Sequence, residues 1–333
     1  MNPDDPLRRR RAIEPRIPRD TRFQPHTPLG SGAEFDSIRR MLERWGPLAR
    51  RVGDDAAVIT SLGERALVVS TDASVENVHF RSEWLSPLEI GYRAAAAALS
   101  DLAAMGAKPL GMLVAMAIPA KWKNSIDPLS DGIGEAAEVY QAPVLGGDMT
   151  RAEELSLTFT VLGTARDVLF RTGARPGDSV YVTGSIGGPG AALKAFQHGL
   201  KPLESHRSRF ARPSPRIREG IWFSEQGASA AIDVSDGLAA DLLHIACASR
   251  VAISVEAERI PLEREVSVQD ALKSGEEYEL LVTSAHQLDL ETFKRRFSVD
   301  LTRIGTVHRG EPHVTFTLDG EPIDAPPGYL HFE

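Results

Sequence analysis

The chain has 333 residues, with 38 Lys and Arg against 46 Asp and Glu, giving a formal net charge of −8. At 42% apolar and 25% charged residues it reads as a globular protein, long enough for two domains. The single cysteine, Cys247, excludes an internal disulfide and a cysteine-based zinc site, no 18-residue apolar run suggests a membrane span, and the acidic balance argues against general nucleic-acid binding.

Residues 1–31 read as a disordered basic tail. Arg8 to Arg11 form a run, and Pro3, Pro6, Pro15, Pro18, Pro25 and Pro28 interrupt any regular element. No apolar h-region opens the chain, so a cytoplasmic protein is expected rather than a secreted one. Mixed α and β patterning follows. Residues 56–60 and 66–71 read as a β-hairpin about Gly63, and 87–105 as a helix with Pro87 at its start and Gly106 just past its end. Residues 110–118 read as a strand and 127–140 as a helix. Strands are expected near Val144 and over 155–164. The division then falls near 165–171, giving an N-terminal α/β domain over 32–165 and a C-terminal one over 166–333. The second half reads as a strand at 179–183, helices at 190–198 and 215–225, a strand at 230–234 and a helix at 238–249. Strands at 251–255 and 279–283, a helix at 285–297 and a pair of C-terminal strands complete it. Ser100-Asp101-Leu102-Ala103-Ala104 is weakly echoed by Ser235-Asp236-Gly237-Leu238-Ala239-Ala240, which suggests halves of related construction.

Aspartates stand where core packing would not place them. Asp101 lies in a helix among Ala94 to Leu99 and Leu102 to Met105, where an ionised carboxylate is costly unless paired or bound to a cation. Ser70, Thr71 and Asp72 close an apolar strand with consecutive oxygen donors of the kind hard cations prefer. Asp54 and Asp55 precede another strand, where a plain turn explains them equally well. Gly146-Gly147-Asp148 follows Val144-Leu145; glycines let backbone approach a phosphate, and the Asp adds a ligand. Asp233-Val234-Ser235-Asp236-Gly237 follows a strand and opens a helix, offering an anion site beside a pair of carboxylates, although an N-cap explains one of them. Together, in an acidic chain without a Walker A loop, these clusters suit Mg²⁺ ions between carboxylates and a polyphosphate. Arg171 and Arg151 are the basic residues placed to meet phosphate; Arg212 and Arg216 suit a structural role equally. His79 reads as a packed edge histidine, and Cys247 as core.

Further runs join these motifs in order: Val78-His79-Phe80, Arg171-Thr172-Gly173-Ala174, Pro176-Gly177-Asp178, Tyr181-Val182-Thr183-Gly184, Arg212-Pro213-Ser214-Pro215-Arg216, Gly275-Glu276-Glu277-Tyr278-Glu279-Leu280 and Gly328-Tyr329. With Leu99 to Ala107, the set closely resembles the thiamine-monophosphate kinase family of the aminoimidazole-ribonucleotide-synthetase-like superfamily, over everything after about Gly32. The resemblance implies a two-domain α/β fold and a homodimer joined through N-terminal sheets. It implies ATP as co-substrate, several Mg²⁺ ions, and phosphorylation of thiamine monophosphate to thiamine diphosphate. By position, Asp55, Ser70, Thr71, Asp72, Asp101, Asp148, Asp233 and Asp236 correspond to metal ligands. Gly147, Asp148, Arg171 and Ser235 correspond to nucleotide contacts, and His79, Glu276 and Tyr329 to substrate contacts. No general base is assigned, because the acceptor phosphate is already anionic. The chain departs from the family at Ala98, where Asn is usual, at Glu277, where Asp is usual, and in a short 261–271 segment. Rival readings are another ATP-using member of the superfamily, or a catalytically silent nucleotide-binding regulator. The former lack support here: no reactive Cys lies near the N-terminus and none at the C-terminus, which ends Leu330-His331-Phe332-Glu333.

Overall fold

The computed structural model describes residues 26–30, 32–46, 52–62 and 64–325. Short β-branched runs build two sheets. The first holds β1 (Ala57–Leu62), β2 (Arg65–Val75), β3 (Lys108–Ile118), β4 (Val144–Arg151) and β5 (Ser156–Ala165), in the order β1-β2-β5-β3-β4. Within it β3 and β4 run parallel and the other neighbours antiparallel. The second holds β6 (Ser179–Thr183), β7 (Ala230–Asp233), β8 (Ala252–Glu256), β9 (Leu280–Ser284), β10 (Leu301–His308), β11 (His313–Leu318) and β12 (Glu321–Ile323), ordered β12-β11-β8-β10-β6-β9-β7. The helices are α1 (Ala33–Trp45), α2 (Pro87–Ala104), α3 (Ile126–Val139), α4 (Gly188–Gln197), α5 (Glu204–Ala211), α6 (Ile217–Glu225), α7 (Leu238–Ser249), α8 (Val268–Leu272) and α9 (Leu290–Phe297). This is the two-part mixed α/β architecture that the sequence implies.

The helix α2 ties the two parts together. Ser86 starts it with a capping box: its hydroxyl accepts from the Glu89 N–H, and the Glu89 carboxylate accepts from the Ser86 N–H. Beyond that first turn the helix is buried almost throughout, because Ala94 to Ala98 present no bulk and neighbouring elements close on every side. It packs on α3, β2 and β5 of the first part and on α6 and β7 of the second. Asp101 is therefore delivered to the junction by packing rather than by a flexible loop.

Several expectations shift. The α1, α5 and α8 helices and the third C-terminal strand were not foreseen. α5 reads as polar, yet it buries His206, Phe210 and Ala211. α9 starts at Leu290 instead of 285, because the Asp289 carboxylate caps it by accepting from the Thr292 N–H. Gly146-Gly147-Asp148 does not follow a strand but lies within one: β3 offers β4 a parallel partner as far as Arg151. The echoed motifs also differ in setting, Asp101 lying inside α2 and Asp236 in the loop before α7.

Residues 1–25 of the expected tail lie outside the described residues. Residues 26–30 lie against the body: His26 Nδ1 accepts from the Val52 N–H, and the Thr27 hydroxyl donates to Asp54 at 2.8 Å. Removal of residues 1–25 should leave the melting temperature and turnover nearly unchanged. Removal through Gly30 should lower the melting temperature by a few degrees, since each lost hydrogen bond contributes about 1 kcal/mol. Equal melting curves for the two truncations would contradict this.

Candidate active site

Asp55 precedes β1, Asp101 sits on α2, and Asp233 ends β7. One carboxylate oxygen from each lies within 4.8 Å of the others. Two serines hold the group: Ser70 on β2 donates to Asp101 at 2.5 Å, and Ser100 on α2 donates to Asp233 at 2.6 Å across the junction. Arg171, between the two parts, is the basic side chain in contact. Its Nε and Nη2 reach Asp55 at 3.2 and 2.5 Å, and its backbone N–H donates to Asp54.

One guanidinium does not balance these carboxylates. Burial, then the charges of Asp233 and Asp55, hold the Asp101 carboxyl well above its ordinary range. Burial and Asp55 likewise raise Asp233. Burial opposes the charge on Arg171, but Asp55 outweighs it and holds the guanidinium above its ordinary range. An array of hard oxygen donors carrying more negative charge than its basic neighbour offsets is suited to a divalent cation.

Other expected residues are placed less uniformly. Strand alternation puts Asp72 on the same face of β2 as Ser70, and Thr71 on the other. The Thr71 hydroxyl meets that of Thr160 at 3.0 Å there. Register then carries Ala73, Thr158, Ala115 and Asp148 across the sheet in one row, so Asp148 faces the side opposite Ser70 and Asp72. Three strand spacings, roughly 14 Å along the sheet, separate β2 from β4. Within one chain Asp148 is not brought to the Asp55–Asp101–Asp233 group.

Gly147 has a steric reason. A Cβ there would lie 1.9 Å from the Val114 carbonyl oxygen of β3. Gly147→Ala should lift β4 from β3 and cost about 2 kcal/mol, seen as a lower melting temperature. An unchanged melt would show that β4 tolerates displacement.

The segment after α8 backs the Asp233 loop. The Glu276 N–H donates to the Ser235 carbonyl and the Tyr278 N–H to that of Val234, at 2.7 and 2.9 Å. Glu276 and Tyr278 both hold positive φ, 58° and 54°, an uncommon backbone for such residues that the two hydrogen bonds enforce. The Glu276 carboxylate pairs with Arg93, a buried α2 residue that also donates to the Phe210 carbonyl and lies 4.2 Å from that ring's centroid. His79 follows β2, and its Nδ1 accepts from the Val75 N–H, which leaves Nε2 as the protonated nitrogen of the neutral ring. Tyr329 lies outside the described residues.

The departures at Ala98 and Glu277 fall in packed positions. Ala98 is fully buried in α2. Glu277 turns away from Glu276, accepting from the Gly187 N–H at 2.6 Å, Ser274 at 2.5 Å and Arg209 at 3.1 Å. Burial pushes its carboxyl up to about 8 against the pull of Arg209. Arg216 is likewise engaged, bound to Glu279, and Arg212 pairs with Glu135 while lying over Tyr92. Sequence reasoning missed Arg93 and Tyr278, for which a charged residue amid the alanines of α2 was the available signal.

Comparison with known proteins agrees with this architecture. The family models for the AIR synthase related protein match residues 53–165 with the N-terminal domain and 175–317 with the C-terminal domain. The thiamine-monophosphate kinase of Bacillus subtilis is 36% identical over 298 residues, 82% of this chain and 91% of the relative. That of Escherichia coli K12 is 34% identical over 84% of this chain and 91% of its own. Among solved structures, AaThiL complexed with AMPPCP and TMP superposes with a TM-score of 0.77 at 30% identity, over 90% of this chain and 96% of that one. With a described fold of two AIR synthase related domains and this identity over most of its length, the chain belongs to the thiamine-monophosphate kinase family of enzymes.

Proposed function

We propose that the chain transfers the γ-phosphoryl group of ATP directly to the phosphate of thiamine monophosphate, giving thiamine diphosphate in thiamine biosynthesis. The observation that carries this reading is the convergence of Asp55, Asp101 and Asp233, from separate segments of both parts, within 4.8 Å. A relative at 30% identity was solved with an ATP analogue and TMP, which supports the same pair of ligands here.

The all-oxygen donors fit Mg²⁺, with Asp55, Asp101 and Asp233 holding one ion and Ser70, Asp72 and Asp236 proposed as ligands of further ions nearby; Thr71 and Asp148, on the opposite face of the sheet, could serve only ions held elsewhere. When bound, Mg²⁺ supplies charge neutralisation for the polyphosphate. The chain's own residues do the rest. Ser70 and Ser100 fix two carboxylates in place. Arg171 orients Asp55 and presents a guanidinium to phosphate; Ser235, and Gly147 on the distant β4, are proposed as further nucleotide contacts. His79, Glu276 and Tyr329 are assigned to the acceptor, where a carboxylate suits a cationic, amino-bearing heterocycle. The acceptor phosphate is already a nucleophile, so positioning in line suffices and no side chain is assigned as base.

We further propose a cytoplasmic homodimer. Among the described residues no helix is long and apolar enough to cross a membrane. The first sheet exposes Leu110, Leu113, Val144, Leu145 and Met149, an apolar group suited to a second copy, and Asp148 lies on the same strands. The regulatory reading has no such use for clustered, mutually repelling carboxylates.

An acceptor comparison tests the function. ADP release should depend on thiamine monophosphate and be at least about 100-fold slower with thiamine, which offers a neutral hydroxyl rather than an anionic oxygen. Equal rates with the two acceptors would refute phosphate as the acceptor group.

A further inference from the structure

Beside the Asp55–Asp101–Asp233 group, and within the electrostatic reach of Asp233 and Arg171, a second convergence sits at the start of α7. A carboxylate oxygen of Asp236, one of Asp241 and a ring nitrogen of His244 all lie within 4.8 Å of one another. Asp241 and His244 are three apart and share a helix face; Asp236 comes from the preceding loop. Asp241 is almost fully buried, and its Oδ2 accepts from the N–H groups of Ser235, Asp236 and Gly237 at 3.1, 3.2 and 3.1 Å. That accounts for one oxygen of Asp241 and for the loop conformation. It gives no account of His244.

His244 is 9% exposed. One side of the ring packs on Phe35, with centroids 4.9 Å apart. Gly30 closes an edge: a Cβ there would lie 2.8 Å from Cε1 and 2.9 Å from Nδ1. Among the described residues neither ring nitrogen of His244 has a hydrogen-bond partner. Among the described residues no fully buried side-chain nitrogen or oxygen lacks a partner, so the ring nitrogens remain within reach of solvent or an ion, and one is directed at the paired carboxylates.

We propose that Asp236, Asp241 and His244 form a binding site for a borderline divalent cation of the Mn²⁺, Co²⁺ or Zn²⁺ type. The two carboxylates offset the charge of a dication beside Arg171, whose own guanidinium is paired with Asp55. The imidazole nitrogen disfavours Mg²⁺, which takes oxygen ligands, and favours metals that accept nitrogen. An ion there pins the 235–237 loop to α7 and to the segment at Gly30. Asp236 also belongs to the ligand set of the kinase reading, and its two oxygens allow both roles. The present site needs no nucleotide, so its test is independent of that reading.

The experiment uses the full-length, tag-free chain, stripped with chelator and loaded with Mn²⁺ in excess Mg²⁺ without nucleotide. Pulsed electron paramagnetic resonance should detect an imidazole ¹⁴N coupled to Mn²⁺ that Mg²⁺ does not displace. In His244→Gln the nitrogen coupling should vanish and the Mn²⁺ dissociation constant rise at least about tenfold. Asp236→Asn, in a less buried ligand, should likewise diminish the nitrogen-coupled Mn²⁺ signal, the readout that separates this ion from one held by Asp55, Asp101 and Asp233, and serves if His244→Gln does not fold. Absence of nitrogen coupling in the unsubstituted chain, its persistence in His244→Gln, or full displacement by Mg²⁺ would each overturn the proposal.

Discussion

Asp101→Asn should lower phosphoryl transfer by about 100-fold or more, roughly 3 kcal/mol of transition-state stabilisation, without unfolding the protein. The side chain keeps its shape, so α2 packs as before, and Ser70 can still donate to the remaining oxygen. What is lost is a negative charge facing Asp55 and Asp233. Stability should move the opposite way to activity. The Asp101 carboxyl is held above its ordinary value of 3.8 by burial and then by its neighbours. Its contribution to stability is thus fully present below that value and is lost as pH rises through the higher native value. Asn mimics the protonated form. In chelator the variant should melt higher than the parent chain at neutral pH, with a flatter dependence between acid and neutral pH, and Mg²⁺ should raise its melting temperature less. Parent-like activity at saturating Mg²⁺, or a lower melting temperature in chelator, would contradict the account.

Glu276→Gln should cost both stability and acceptor use. The carboxylate neutralises Arg93, whose side chain is only 3% exposed, so an amide leaves a buried guanidinium uncompensated. Glu276 itself is 27% exposed, which moderates the cost to about 2 kcal/mol, or several degrees in melting temperature. Arg93→Met combined with Glu276→Gln should recover much of that loss, since neither charge then remains. Acceptor use should not recover in the double variant, because the carboxylate proposed to face the acceptor is still missing. His79→Ala should share the kinetic defect and not the larger loss of stability. In each case the affinity for an unreactive ATP analogue with Mg²⁺ should stay within a few-fold of the parent chain, as measured by calorimetry. Collapse of analogue binding with acceptor dependence untouched would reverse the assignment of the two subsites.

The sequence announced most of the fold because its punctuation is strong. Ser86-Pro87 and Gly106 bracket α2, and the alternating runs after Gly53 and before Ala165 pair as strands. The elements it concealed are those whose burial comes from distant partners. α5 looks solvent-exposed until Phe210 is seen beneath Arg93, and Gly147 reads as a glycine for phosphate approach until Val114 is found against it. The same distinction holds at the site. Asp101 was legible because an acid amid alanines has no packing reason. The union of Asp55, Asp101 and Asp233 was not, since it depends on how α2 crosses to β7. Thr71 and Asp148 were grouped with Asp72 as motif residues, and pleat and register set them on the other face of the sheet. Arg93 and His244 stand outside the motif runs; Arg93 pairs with the distant Glu276, and the His244 ring packs on the distant Phe35.

The central claim is most directly tested by incubating the purified chain with γ-labelled ATP, Mg²⁺ and thiamine monophosphate. Label in the terminal phosphate of thiamine diphosphate, one product per ADP released and none retained on the protein, is the predicted result. ADP formed without labelled thiamine diphosphate, or no turnover by a folded chain that binds the ATP analogue, would contradict it.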